Sequence, residues 1–433
     1  MSLDRRSFTR WAAAALGAAA LGPRRASAAL AGEPDAVLDP CALPESIRAL
    51  RPMTAGIAPI TDDERRARIE QARRLMAAAG IDAIVLEPGS SMNYFTSVGW
   101  GLSERPFITV IPRTGELAYV SPAFEEARAR ELIKFSNDVR VWQEDESPYR
   151  LIAQILRDRG AGTGRVGIEE RLRFFIFDGL RAAAPQATFV SADPVTAGCR
   201  MIKSPAELAL MQRANDITIA AYRAAFATLH AGITQFEFSD NVAGAFTRLG
   251  APGGSAGAQF GKYSAFPHGS ITPQKLREGD VVLVDGGCSV QGYKSDITRT
   301  TVFGKPSARQ REVWSLERSA QDAAFAAARP GATCESVDAA ARAVITRGGF
   351  GPDYKVPGLP HRTGHGIGLD GHEWTNFVRG NKTPLRPGMC FSDEPMIAIY
   401  GEFGIRLEDC LYITEDGAKF FTAQSPAIDR PFA

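Results

Sequence analysis

The chain has 433 residues, 45% hydrophobic and 23% charged, a globular composition long enough for two domains. Fifty Lys and Arg against 49 Asp and Glu leave a formal charge of +1, which offers no footprint for nucleic acid or for an anionic membrane surface. Plentiful apolar residues exclude disorder, no Gly-X-Y period suggests a collagen-like rod, and six cysteines are too few for a disulfide scaffold.

Residues 1–28 read as an export signal. A basic start with Arg5-Arg6 precedes Phe8, an apolar core ends at Gly22, and Ala26-Ser27-Ala28 supplies a small-x-small end. The core is about twelve residues, short of the roughly 20 a membrane-spanning helix needs. The paired arginines resemble a twin-arginine signal, and Arg24-Arg25 after the core suits that route. A mitochondrial presequence fits less well, because no charge interrupts the core. The expectation is export to the periplasm, with no stable membrane association after cleavage. That route carries folded proteins, which suits a chain that takes up a metal beforehand.

Residues 29–57 hold Pro34, Pro40, Pro44 and Pro52 and read as a linker or extended arm. An α/β domain is expected over 58–198. Thr61 with Glu64 forms a capping box, apolar residues recur at helical spacing from Ile69 to Ala79, and Gly80 stops the helix. Strands are expected at 81–86, 107–111, 117–120, 165–168 and 187–190, and helices near 122–134 and 148–159. A boundary falls around Pro194 to Lys203, and the second domain spans 199–433. Its helices start at Ser204-Pro205, Thr234 and Ser307, each with Glu or Gln three residues on, and a further helix spans about 335–347. Strands are expected at 281–284, 297–303, 390–399 and 404–413.

The chemistry concentrates in this second domain. Asp285 ends the apolar run Val281 to Val284, and Asp296 opens the next strand eleven residues on. Alone, these would be ordinary strand-end turn residues; paired side by side, they are unfavourable without a cation or proton between them. Three of the five histidines, His361, His365 and His372, lie in one glycine-rich stretch that can bend closely around a site. Glu394 and Glu408 each fall in a late apolar strand, with Arg406 two residues before Glu408 on the same strand face. His268 lies in the turn Phe266-Pro267-His268-Gly269, whereas His230 reads as a surface or helix-end residue. The stretch Gly250 to Gly261 lacks the Gly-Lys-Ser/Thr ending of a phosphate loop and reads as a loop near the site.

In that order, Asp285, Asp296, His365, Glu394 and Glu408 resemble the five-ligand set of the pita-bread metallopeptidases. Pro267-His268-Gly269, Gly292-Tyr293, Ser295 to Thr300, His361 to Gly368 and Gly404 to Asp409 resemble the aminopeptidase P and prolidase branch. The resemblance implies an α/β (α+β) fold, with a C-terminal pita-bread (creatinase/aminopeptidase) domain and a smaller N-terminal creatinase-like domain. It implies two divalent metal ions, for which an oxygen-rich set with one imidazole suits Mn²⁺ best, then Co²⁺, Fe²⁺ or Zn²⁺. Asp285 would bind one ion, His365 and Glu394 the other, and Asp296 and Glu408 would bridge, with a shared hydroxide as nucleophile. Glu394 would also shuttle protons, and His268 and His372 would donate hydrogen bonds to the substrate carbonyl and its oxyanion. His361 and Arg406 are placed on the substrate side, His361 lining the pocket for proline and Arg406 orienting the bridging carboxylates.

The expected activity is therefore hydrolysis of short peptides at Xaa-Pro bonds, with proline after the scissile bond, by a homodimer or homotetramer. A same-fold hydrolase without proline preference is the alternative, and an exported peptide-binding protein is a third reading. A metal-free creatinase-like enzyme is disfavoured because all five ligands are present. Met396 stands where the resemblance calls for glycine, and Cys410 and Cys288 lie unusually close to ligand positions. No disulfide pairing can be assigned from the sequence.

Overall fold

The computed structural model describes residues 43–433. The export signal at 1–28 and the first part of the linker at 29–57 lie outside the described residues.

Residues 44–54 form an arm. Helix α1 (Glu45–Arg48) buries Ile47, and Ser46 Oγ donates to Ala224 O at 2.8 Å. Met53 N donates to Leu249 O at 2.8 Å, which ties the arm to the second domain.

The first domain begins with α2 (Asp62–Ala79). Thr61 Oγ1 accepts the Glu64 N–H at 3.1 Å, and Gly80 closes the helix at φ 65°. In chain order follow β1 (Ala83–Leu86), α3 (Ser90–Thr96), β2 (Ile108–Pro112), β3 (Ala118–Pro122), α4 (Glu126–Leu132), β4 (Val139–Trp142), α5 (Pro148–Asp158), β5 (Arg165–Ile168), α6 (Phe174–Ala183), β6 (Thr188–Ser191) and α7 (Asp193–Arg200). The six strands make one mixed sheet in the order β4-β3-β2-β1-β5-β6. Val85, Val110, Val120 and Val166 pack with Ile152, Leu156 and Ile176 of α5 and α6. Helices α3, α6 and α7 and strand β4 are absent from the sequence-based expectation. Neither α3 nor α6 has a side-chain cap, and Pro194 sits in the first turn of α7, where a proline starts a helix rather than marking a break.

The second domain opens with α8 (Pro205–Phe226) and α9 (Gln235–Arg248), both with complete capping boxes. Strand β7 (Ser255–Phe260) occupies the stretch expected as a loop, pairing antiparallel with β8 (Val281–Gly287) and setting Gly257 opposite Asp285. Next come β9 (Ser289–Val290), β10 (Tyr293–Lys294), β11 (Ile297–Val302), α10 (Ala308–Ala327) and α11 (Cys334–Arg347). The chain closes with β12 (Gly364–Gly366), β13 (Glu373–Phe377), β14 (Cys390–Asp393), β15 (Met396–Ile399), β16 (Phe403–Arg406), β17 (Asp409–Ile413) and β18 (Ala418–Phe420).

The two long strands expected at 390–399 and 404–413 are each broken in two. Proline at 395 has no N–H for a ladder bond, and the breaks fall at Glu394-Pro395 and Leu407-Glu408. The pairing register is unchanged across the breaks: Asp393 faces Asp409 on one side and Met396 faces Arg406 on the other. That register sets Glu394 opposite Glu408. Helix α10 packs on this hairpin and α11 packs on α10, so that Val313, Ala320, Val337 and Ala341 share one core with Ile397, Ile405 and Leu411.

Candidate metal centre

The site is assembled from two strand pairs. In the first, β8 and β11 place Asp285 opposite Thr298, with Asp296 one residue before β11 begins. Thr298 Oγ1 is 3.0 Å from Asp285 Oδ1 and 2.6 Å from Glu408 Oε2, so one buried hydroxyl joins acids from both pairs. Behind it, Tyr222 Oη donates toward Gly286 O and Ile297 O at 3.0 and 2.9 Å, pinning the ends of both strands. A Cβ on Gly287 would collide with the Ser295 backbone, so glycine lets these strands close tightly beside Asp285.

In the second pair, β12 carries His365 between two glycines. A Cβ on Gly364 would strike Ser392 O, and one on Gly366 would strike the β13 backbone. Ser392 Oγ accepts the His365 N–H at 3.0 Å and donates to Glu394 Oε1 at 3.0 Å. His365 Nδ1 lies 3.0 Å from Gly366 O, which makes it the protonated nitrogen and turns Nε2 inward. Nε2 is 3.2 Å from Glu394 Oε1 and 3.7 Å from Asp296 Oδ2.

Three overlapping groups result, each with ligand atoms within 4.8 Å of one another: Asp285 with Asp296 and Glu408, His365 with Glu394 and Glu408, and Asp296 with His365 and His372. The five expected ligand positions are thus brought together. Arg406 meets them from below: Nη2 is 2.5 Å from Asp285 Oδ2, Nε donates to Thr298 Oγ1 at 3.0 Å, and Nη1 donates to Pro267 O at 2.7 Å. These partners are all protein groups, which fits a residue that orients the carboxylates.

The electrostatics are those of an undercompensated acid cluster. Burial and the charge of Asp285 push Asp296 up to about 7, and burial with Asp296 and Glu394 pushes Glu408 well above the usual carboxylate range. Burial opposes the charged form of Glu394 too, but its hydrogen bond to His365 holds it at about 2. His365, despite burial, is raised to about 9 by Glu394 and Asp296. Four carboxylates against one arginine and one imidazole leave a charge that divalent cations would neutralise, and a donor set of this composition fits such ions.

The remaining histidines divide. His372 stacks on His365 with ring centroids 3.7 Å apart, 12° from parallel. Burial lowers the His361 and His372 imidazoles. His361 Nδ1 lies 2.7 Å from Arg362 O, while its buried Nε2 has no partner. His230 is exposed, with Nδ1 3.0 Å from Thr228 O. Met396 is fully buried in the core. Cys410 Sγ donates to Asp296 O at 3.1 Å and accepts the Asp296 N–H at 3.3 Å, holding that residue from behind. Among the described residues Cys199, Cys288, Cys334, Cys390 and Cys410 are free and buried.

Thr298, Ser392 and Tyr222 are contributors that the sequence reading did not single out. Thr298 had a signal: it lies two residues after Asp296, on the face of Ser295 to Thr300 that alternation assigns to Asp296. Tyr222 had none, since its contacts are 64 and 75 residues away.

Residues 68–202 match the creatinase/prolidase N-terminal domain, and residues 209–415 match metallopeptidase family M24. An uncharacterized peptidase of Schizosaccharomyces pombe is 36% identical over 405 residues, covering 88% of this chain and 87% of that protein. A Xaa-Pro dipeptidase of Lactobacillus helveticus is 35% identical over 342 residues, 77% of this chain and 90% of that one. The crystal structure of dipeptidase PepE from Mycobacterium ulcerans aligns with TM-score 0.80 at 31% identity, over 87% of this chain and 100% of that chain. With its N-terminal creatinase-like domain and C-terminal pita-bread domain, the chain belongs to metallopeptidase family M24.

Proposed function

We propose that the protein is a dinuclear exopeptidase that hydrolyses short peptides at Xaa-Pro bonds. The observation that carries this reading is the convergence of four carboxylates with one imidazole, His365, and one guanidinium, Arg406, which leaves the acids undercompensated. Asp285 would hold one ion, His365 with Glu394 the other, and Asp296 with Glu408 would be shared. The ions would supply Lewis acidity and an ionised water near neutral pH, with Mn²⁺ the best match to the donors.

The chain's own groups do the rest. Glu394, held in its charged form by His365, accepts a proton during attack and returns it to the leaving amine. His372, flat against His365, and His268, held through the Arg406 bond to Pro267, donate hydrogen bonds to the carbonyl oxygen as charge develops there. His361, whose buried Nε2 has no partner, would line the pocket for proline. Preference for proline is supported by the Xaa-Pro dipeptidase relatives and by the chemistry of its tertiary amide, which general peptidases handle poorly. Export through the twin-arginine route, a periplasmic location and assembly as a homodimer or homotetramer belong to the same proposal.

The test is mass-spectrometric analysis of a peptide panel incubated with Mn²⁺-loaded protein, beside a chelated control. The panel contains Xaa-Pro dipeptides, Xaa-Pro-Yaa tripeptides and matched peptides without proline. Chelator-sensitive cleavage confined to Xaa-Pro bonds is expected, and peptide length then separates dipeptidase from aminopeptidase. Equal cleavage of peptides without proline would sink the preference, and no cleavage by protein shown to hold metal would sink the peptidase assignment.

A further inference from the structure

A second ionic cluster lies where the two domains meet. Its acids, Asp370 and Glu373, flank His372 in the turn between β12 and β13. Arg200, at the end of α7, bonds both: Nη2 is 2.6 Å from Asp370 Oδ2 and also meets Glu373 Oε1. Lys203, in the segment joining the domains, places Nζ 3.0 Å from Glu373 Oε2. From the first domain, Ser90 Oγ donates to Asp370 Oδ1 at 2.7 Å and Arg171 Nη1 to the same oxygen at 2.9 Å. Arg171 Nη2 also reaches the backbone oxygen of His372 at 3.5 Å.

The turn has little slack. Asp370 N donates to Glu373 Oε1 at 3.1 Å, and Lys203 N donates to Gly388 O at 2.8 Å, which anchors the joining segment. A Cβ on Gly368 would lie 2.7 Å from both Glu373 Oε2 and Lys203 Cε, so the loop backbone rests directly on that ion pair. By contrast, no hydrogen bond among the described residues holds the His372 imidazole, which is exposed and touches His365 through its ring face.

We propose that Arg171, Arg200 and Lys203 act as positioning residues: by gripping Asp370 and Glu373 they hold His372 over His365, so the docking of the first domain sets the rate of the second. The acids come from the domain that carries the metal ligands, and the cations come from the other domain and the joining segment. A ring held only through its backbone turn loses its aim when that turn relaxes. The inference rests on the metallopeptidase reading of His372.

The experiment uses the full metal-loaded chain with Arg171→Ala, Arg171→Lys, Asp370→Asn and the Arg171→Ala/Asp370→Asn pair. Either single loss is expected to lower kcat about tenfold, with KM and bound metal held within about twofold. The pair should lose no more than Asp370→Asn alone, and Arg171→Lys should recover most of the rate. Additive losses, loss of metal, or a lowered Tm with unchanged kcat would overturn the proposal.

A second readout is independent of turnover. With five histidines in the chain, the imidazole C–H signals of Zn²⁺-loaded protein can be assigned by substitution. Asp370→Asn should move the His372 signal away from its stacked position and leave that of His230 in place. An unmoved His372 signal overturns the proposal even if wild type cleaves no peptide, whereas a moved signal with inactive wild type sinks only the peptidase reading.

Discussion

Two acid-rich clusters sit one turn apart in this chain and have opposite character. At the candidate metal centre, Asp285, Asp296, Glu394 and Glu408 face Arg406, and burial drives Asp296 and Glu408 toward the neutral form. At the domain junction, Asp370 and Glu373 face Arg171, Arg200 and Lys203, and Glu373 is held at about 2 although burial opposes its charge. Both clusters are largely buried, and both contain a carboxylate beside a histidine-bearing turn. The difference is counter-charge. A cluster that carries its own cations is a clamp; one that lacks them has room, electrostatically, for ions from outside. Acid density alone would have drawn attention to both.

The largest effects should come from breaking the undercompensated cluster. Asp296→Ala or His365→Ala is expected to abolish turnover and lower bound metal, read by peptide assay and elemental analysis of the same samples. Full activity in either variant would remove the ligand assignment. His372→Ala should sharpen the boundary between ligand and donor: metal stays, and rate falls roughly 10²–10³-fold, as for a lost oxyanion donor. Metal loss in that variant would make His372 a ligand, as its grouping with Asp296 and His365 allows.

The clamp should respond to pH instead. Glu373 has its folded pKa depressed from 4.5 to about 2, so its stabilising contribution is complete above 4.5 and drains as pH falls toward 2. The contribution is on the order of 3 kcal/mol. Denaturant midpoints measured from pH 5 to pH 2.5 should therefore fall more steeply for wild type than for Glu373→Gln. Parallel curves would mean that the pair is no stronger than in the unfolded chain. The smallest effect, taken ion by ion, concerns stability with and without metal: at a hundredfold excess over Kd, each Mn²⁺ bound should stabilise the fold by about 2.7 kcal/mol, seen as a higher Tm. The clamp variants Arg171→Ala and Asp370→Asn should keep that increment in full, since their acids need no added cation.

The five expected ligand positions, which the structure brings together, were picked out because each lies in a short word that resembles the family's: an acid at a strand end, a histidine between glycines, a glutamate in a late strand. Capped helices were legible for the same reason, as at Thr61, Ser204, Thr234 and Ser307. What escaped was non-local. The clamp draws on residues 90, 171, 200, 203, 370 and 373, and no window of sequence contains its charges together. The breaks at Glu394-Pro395 and Leu407-Glu408 also escaped, because apolar residues on both sides of Ser392 to Pro395 and of Glu408-Asp409 read as single strands while the chain passes from one sheet to another. Strand β7 was taken for a loop since its glycines suit either state, and only pairing with β8 decides between them.

The hairpin that sets Glu394 opposite Glu408 makes chain length a chemical variable. Its tip is three residues, Tyr400, Gly401 and Glu402, between the paired Ile399 and Phe403. Extra residues spliced into that tip would loop outward and leave the pairing intact. One residue spliced between Phe403 and Leu407 would turn Glu408 to the other side of the sheet and remove a carboxylate from the cluster without altering a single side chain. Natural or engineered variation in this hairpin is therefore permitted at its end and forbidden along its arms, which marks the tip as the place to graft new segments.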